Sequence, residues 1–127
     1  MIRCEKKILA TTHDTAKGIL RKARGVMFTQ QIKKPLVFIF DREHTIGLHM
    51  MFVFFPIDVI FLTNIKKSTS KNKTSITGTI CEIKSALKPW QWYNPTKAAS
   101  IVIEFSENSI QDHKLAVGKK IIIEEDR

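Results

Sequence analysis

The stretch HMMFVFFPIDVIFL, residues 49–62, decides how this 127-residue chain is read. It is apolar almost throughout, yet it opens on His49, is interrupted by Pro56 and carries Asp58 near its end. It is shorter than the roughly 20 apolar residues that cross a bilayer, and an aspartate at the bilayer centre would cost about 2.5–3.5 kcal/mol. A membrane span is therefore not the reading. Proline has no N–H for a β ladder and is confined to edges, strand starts and bulges. Pro56 accordingly divides the run into a strand over about 46–54, a break at Phe55-Pro56, and a second strand over 57–63. In the second strand Ile57, Val59 and Phe61 point one way while Asp58, Ile60 and Leu62 point the other. Both faces are mostly apolar, which predicts a central strand with Asp58 at least partly buried.

Around this run the chain has the size and composition of one domain, 1–127, with 43% hydrophobic and 26% charged residues. A continuous core is attainable at that size without a disulfide or metal staple. Cys4 and Cys81 have no CxxC-type spacing and read as separate small thiols. The opening MIRCEKKILATTHD lacks the apolar segment and cleavage site of a secretory signal, so a cytoplasmic location is expected. The net charge of +9 favours polyanions in principle. The lysines are scattered, however, and the aromatics fall inside apolar runs rather than between basic residues. Nucleic acid is on this footing a second choice of partner.

Outward from the centre, IRCEKKIL (2–9) reads as an edge strand guarded by lysines. Ala16, Ile19, Leu20, Ala23 and Met27 follow helical spacing, with Thr12 or Asp14 as N-cap and Gly25 at the C-terminal cap. This predicts one amphipathic helix over about 13–24. LVFIFD (36–41) reads as a buried strand and REHT as a turn. NIKKSTSKNKTS (64–75) reads as a solvated hairpin tip. A strand with a bulge at Gly78 follows, then the aromatic stretch LKPWQWYNP (87–95). ASIVIEFS (99–106) and KKIIIEE (119–125) are strands, with a short helical turn between them. The fold class expected is α+β, mostly antiparallel β, a small barrel-like or sandwich domain with one N-terminal helix.

Taken in order, ARGVMF (23–28), LVFIF, HMMFVFFPIDVIFL, KPW (88–90), ASIVIEF and VGKKIII resemble the domain-of-unknown-function family 192 over nearly the whole chain. The resemblance implies a small, mostly antiparallel β domain and brings no activity, substrate or cofactor. Phe52-Val53, Ser106-Glu107-Asn108 and Gly118-Lys119 depart from the family pattern.

A buried carboxylate needs a cation or hydrogen-bond donors. Arg24, in the family-like RG, is the expected partner of Asp58, a clasp between helix end and central strand, with neighbouring backbone donors as the alternative anchor. Glu104 reads as a solvent-facing strand glutamate. His44 and His49 lack the ligand spacing of a zinc site, so neither metal nor cofactor is expected. No GxSxG serine or spaced Cys–His pair is present, and no catalytic residue is assigned. Trp90 is expected to plug one end of the barrel, with Trp92 and Tyr93 over its rim. The same loop is also the best place for a ligand, since aromatic rings give large contact area at low entropic cost. The reading is thus a non-enzymatic module binding a small ligand or protein through His49, Asp58, Trp90, Trp92 and Tyr93. Arg24, Gly25, Pro56 and Asp58 serve structure. A basic nucleic-acid-associated protein is the alternative, and an enzyme using Asp58 comes third.

Overall fold

The structure, a computed structural model, describes residues 1–16, 32–50 and 53–126. Pro56 ends the first half of the apolar run, as its missing N–H requires. Upstream of it the described strand is only β5 (Leu48–His49); downstream, β6 runs over Ile57–Thr69. The strand expected over 46–54 is this short because Met50 turns aside: its N–H donates to Gln91 O and its carbonyl accepts from Trp90 N–H, each at 2.8 Å. Residues 51 and 52 lie outside the described residues.

The other elements among the described residues are β1 (Ile2–Cys4), β2 (Lys7–Ala10), β3 (Asp14–Ala16), β4 (Leu36–His44), β7 (Lys73–Leu87), β8 (Trp92–Tyr93), β9 (Ala99–Ser106), α1 (Ser109–Asp112) and β10 (Lys120–Asp126). Among the described residues eight strands form one sheet in the order β2-β1-β10-β7-β6-β9-β4-β3, and β5 pairs with β8 in a two-stranded ribbon. All pairs in the large sheet are antiparallel except β3 with β4, so the sheet is mixed.

Two expectations about architecture are corrected. The sheet is not a closed barrel: β2 and β3 are its edges, and the ladder that closure needs between them is missing among the described residues. The helix expected over 13–24 fails at its start, where Asp14–Ala16 is a strand bonded in parallel to Leu36–Phe38. Strand pairing overrides the helical spacing there; the rest of that helix, with Arg24 and Gly25, lies outside the described residues. Helix among the described residues is confined to the four residues of α1.

The alternation read in β6 holds. Ile57, Val59 and Phe61 pack on one face with Phe38, Met50, Val53, Leu87 and Val102. Ile60 and Leu62 pack on the other with Ile2, Ile80, Ile101, Ile103, Phe105 and Ile121. Every residue from Ile57 to Leu62 is buried, so β6 is a central strand sandwiched between two apolar layers. Full burial of each such aliphatic side chain stabilises by about 1.5–3 kcal/mol.

Other local readings shift. IRCEKKIL is a hairpin rather than one strand, turning at Glu5, whose φ is 56°. REHT does not turn: β4 continues to His44, and Glu43 accepts from the Thr63 hydroxyl and the Asn64 N–H across to β6. The polar segment 64–75 is mostly strand, with the turn confined to residues 70–72. The irregularity expected at Gly78 falls on its partner, between Thr63 and Lys66 of β6. Ile65 lies over Gly78 so closely that a Cβ there would stand 2.6 Å from its Cδ1.

Candidate functional site

Among the described residues β5 and β8 pair with each other and with no other strand. Leu48 pairs with Tyr93 and His49 with Trp92, which sets the two rings of the second pair 5.5 Å apart, tilted by 47°. The chain leading into β8 bends at Trp90, whose φ of 65° is rare for a bulky side chain and costs about 1–2 kcal/mol. Three bonds hold that bend: Trp90 N–H to Met50 O, Gln91 N–H to Lys88 O, and Lys88 N–H to Gln91 Oε1. The outcome is an outward-facing ring. Trp90 is 52% exposed, Trp92 65% and Phe54 63%, and Phe54 meets Trp90 edge-on at 6.1 Å. The expectation that Trp90 plugs a barrel end is corrected, since the sheet is not closed into a barrel and Trp90 is 52% exposed.

Beneath this aromatic surface lies a rigid base. Tyr93 donates its hydroxyl to Glu82 and packs on Phe61 at 5.9 Å, and the Lys84 ammonium stands 5.7 Å from its ring centre. Glu82 also accepts from the Thr96 N–H and hydroxyl and from the Lys97 N–H. Burial pushes the Glu82 carboxyl up, but the hydrogen bonds from Tyr93, Lys97 and Thr96 outweigh it and hold the carboxyl below its ordinary value. Burial first, then the Glu82 hydrogen bond and charge, push the Tyr93 phenol up to about 12.

Asp58 stands at the root of the loop. It is 1% exposed; Oδ1 accepts from Ala86 N–H and Oδ2 from Ile110 N–H, each at 2.9 Å. One carboxylate thereby ties the start of β6 to the end of β7, where the 87–95 loop begins, and to α1. Of the five residues expected to bind, His49, Trp90, Trp92 and Tyr93 come together, and Asp58 supports them from inside.

Glu104 corrects the sequence reading. It is 7% exposed, lies opposite Val59 and Leu36 in the middle of the sheet, and its Oε2 has no hydrogen-bond partner. Burial pushes its carboxyl up to about 8, so at neutral pH it is mostly a neutral acid. The missed signal was its neighbours, because a strand reading IVIEF has apolar residues on both faces and leaves no outward side. Phe54, Glu82 and Lys84 were also missed. Cys4 and Cys81 are both free thiols. Among the described residues no group of three or more His, Cys, Asp and Glu side chains is placed to hold a metal ion, and no helix is long and apolar enough to cross a membrane.

The family DUF192, described as an uncharacterized ACR, matches residues 2–123. A UPF0127 protein of Thermococcus sibiricus is 29% identical over 116 residues, covering 88% of this chain and 67% of that protein. A UPF0127 protein of Thermococcus kodakarensis is 31% identical over 91 residues, covering 70% of this chain but only 50% of its own length. Among solved structures, a candidate transcription regulator from Sinorhizobium meliloti superposes with a TM-score of 0.70 at 16% identity, covering 90% of this chain and 80% of that one. A protein of unknown function from Novosphingobium aromaticivorans gives 0.70 at 15% identity, covering 86% and 72%. At such identities the likeness shows the fold alone.

Proposed function

This chain belongs to the uncharacterised DUF192 family, and we propose that it serves there as a non-enzymatic binding module. Its binding surface is the aromatic face of β5 and β8, made by His49, Phe54, Trp90 and Trp92. The observation that carries the reading is Trp90: a large ring held outward on a left-handed backbone by three hydrogen bonds. Backbone strain of that kind clusters at ligand-contacting segments, and here it carries a half-exposed indole. Tyr93 and Glu82 give the surface a fixed base, which lowers the entropic cost of binding. Asp58 acts by position, fixing the root of the loop.

The two tryptophans of the chain both lie on this surface, which makes its own fluorescence the assay. Emission and acrylamide quenching are followed while defined peptides, oligosaccharides and small aromatic ligands are titrated. A binder should shift emission to the blue, shield both indoles and lose affinity on Trp92→Ala. Ligands that bind without moving tryptophan emission would refute the assignment.

A second reading, a nucleic-acid-associated protein, draws on the net charge of +9 and on exposed Lys66, Lys67 and Lys71 along the β6–β7 hairpin. Titration with an oligonucleotide at two salt concentrations separates the two, because phosphate-driven affinity collapses with salt. Absence of binding at low salt removes this second reading.

A further inference from the structure

The positive charge is not spread evenly along β10. At its end, Glu124 pairs with Lys73 at 3.1 Å and also with Arg3, so each of those cations has a carboxylate partner. At its start the balance is different. A cleft of about 330 Å³ opens between the β1–β2 turn and the loop from α1 to β10, lined by Cys4, Glu5, Lys6, Lys7, His113, Lys114 and Lys119. Four lysines face one carboxylate there. None of the four makes an ion pair among the described residues.

The cleft is built from a fixed frame. The β1–β2 turn is set by Glu5 at φ 56° and by the pairing of Cys4 with Ile121. In the opposite loop, Leu115 is buried, and Gly118, at φ 97°, donates to Ile80 O at 2.8 Å while Ile80 N–H returns to Lys119 O at 2.9 Å. Lys119 donates from Nζ to Lys114 O at 2.8 Å, which fixes its ammonium and leaves it protons to spare for a ligand. Burial, with Glu5 adding to it, pushes the Cys4 thiol up against the pull of Lys119 and Lys7, so the floor of the cleft stays uncharged. Like charges held on an ordered frame repel one another, and an anion relieves that repulsion.

We propose that this cleft binds the phosphate group of a small phosphorylated molecule. Lysine ammonium groups are point-charge phosphate binders, and the volume lies at the small end of the range for small-molecule sites. The inference is independent of the aromatic surface, with which it shares no residue.

The probe is inorganic pyrophosphate, titrated calorimetrically against the full chain at low salt. Saturable binding of one anion per chain is expected. Lys7→Ala combined with Lys114→Ala should weaken it roughly 10-fold or more, as loss of charged hydrogen bonds does. Lys66→Ala with Lys71→Ala removes the same charge from the hairpin and should change affinity little. At one fixed concentration pyrophosphate should also raise the melting temperature of the parent and of the hairpin variant more than that of the cleft variant, whose own melting transition shows that it is folded. Equal weakening by both pairs would mean that only the overall charge matters, and would overturn the site. Failure to saturate would overturn it as well. So would a single-stranded oligonucleotide that binds more tightly than pyrophosphate and is weakened by the hairpin pair.

Discussion

Asp58 and Glu104 are both buried carboxylates on neighbouring strands, yet the sheet treats them in opposite ways. Asp58 sits opposite Phe105 and Glu104 opposite Val59, so they occupy adjacent rungs of the β6–β9 ladder and point to opposite faces. Asp58 receives two backbone N–H groups. Glu104 keeps an oxygen without a partner, and burial pushes its carboxyl up to about 8. Burial alone therefore does not fix the state of a carboxyl group; the supply of donors does. Donors are available to Asp58 because β6 starts beside two chain ends that need acceptors: Ala86, where β7 turns at φ 51°, and Ile110, in the first turn of α1. Around Glu104 the neighbouring rungs are regular ladder, whose N–H groups are already engaged.

The largest test of that contrast is Asp58→Ala. One buried and one part-buried N–H group lose their acceptor together, at about 1–3 kcal/mol each, so a loss of about 3–5 kcal/mol is expected. Urea denaturation measures it. A variant as stable as its parent would mean that the two N–H groups find water, and that Asp58 is not what secures the loop root.

Glu104→Gln probes the other member and should act in the opposite direction. The folded carboxyl is raised from an ordinary value of 4.5 to about 8. Its contribution to stability is therefore fully present below about pH 4.5 and is lost as pH rises through about 8. The parent should lose on the order of a few kcal/mol across that window, and the glutamine variant should not. Unfolding midpoints at pH 5 and at pH 9 decide it. If the two proteins change in parallel, the carboxyl has a donor that keeps it ionised, and the contrast with Asp58 fails.

Asp58→Asn asks a finer question. The amide keeps one oxygen for one N–H, but its NH2 then faces the other N–H, donor to donor. About 1–2 kcal/mol should be lost, less than with alanine. Equal losses for the two variants would show that the charge, rather than the count of acceptors, is what the site needs.

How far the sequence could show this follows from which faces are buried. Where one or both faces of a strand are apolar, alternation is legible, and 36–41, 57–63, 99–106 and 119–125 read as strands for that reason. The outer half of the β6–β7 hairpin has polar residues on both faces, so it looks like loop although it is ladder. Asp58 drew notice because it interrupts an apolar run, but its acceptors' partners, Ala86 and Ile110, are backbone groups that no side-chain pattern reveals. Trp90, Trp92 and Tyr93 are legible as an aromatic cluster, with His49 set apart at the start of the apolar run. That the two indoles face outward is not, because it depends on the left-handed backbone at Trp90 and on the pairing of β5 with β8. The lysine cleft depends on register between β1 and β10, segments more than a hundred residues apart.

The smallest effect comes from Glu82, a half-buried carboxylate richer in donors than Asp58. The chain has one tyrosine, Tyr93, so near-ultraviolet phenolate absorbance reports a single group without interference. Burial, the hydrogen bond to Glu82 and the Glu82 charge together raise its pKa to about 12 from an ordinary 10. Glu82→Gln removes the charge and weakens the hydrogen bond while leaving the burial. The midpoint should therefore fall by about one unit and stop short of the ordinary value. The sign for stability follows: the Tyr93 contribution is present below about pH 10 and is lost as pH rises through about 12. Circular dichroism recorded alongside shows whether the fold persists through the titration. An unchanged midpoint in Glu82→Gln, with the fold intact, would mean that burial alone holds the phenol neutral. Donor supply would then explain Asp58 and Glu104 but not the base of the aromatic surface.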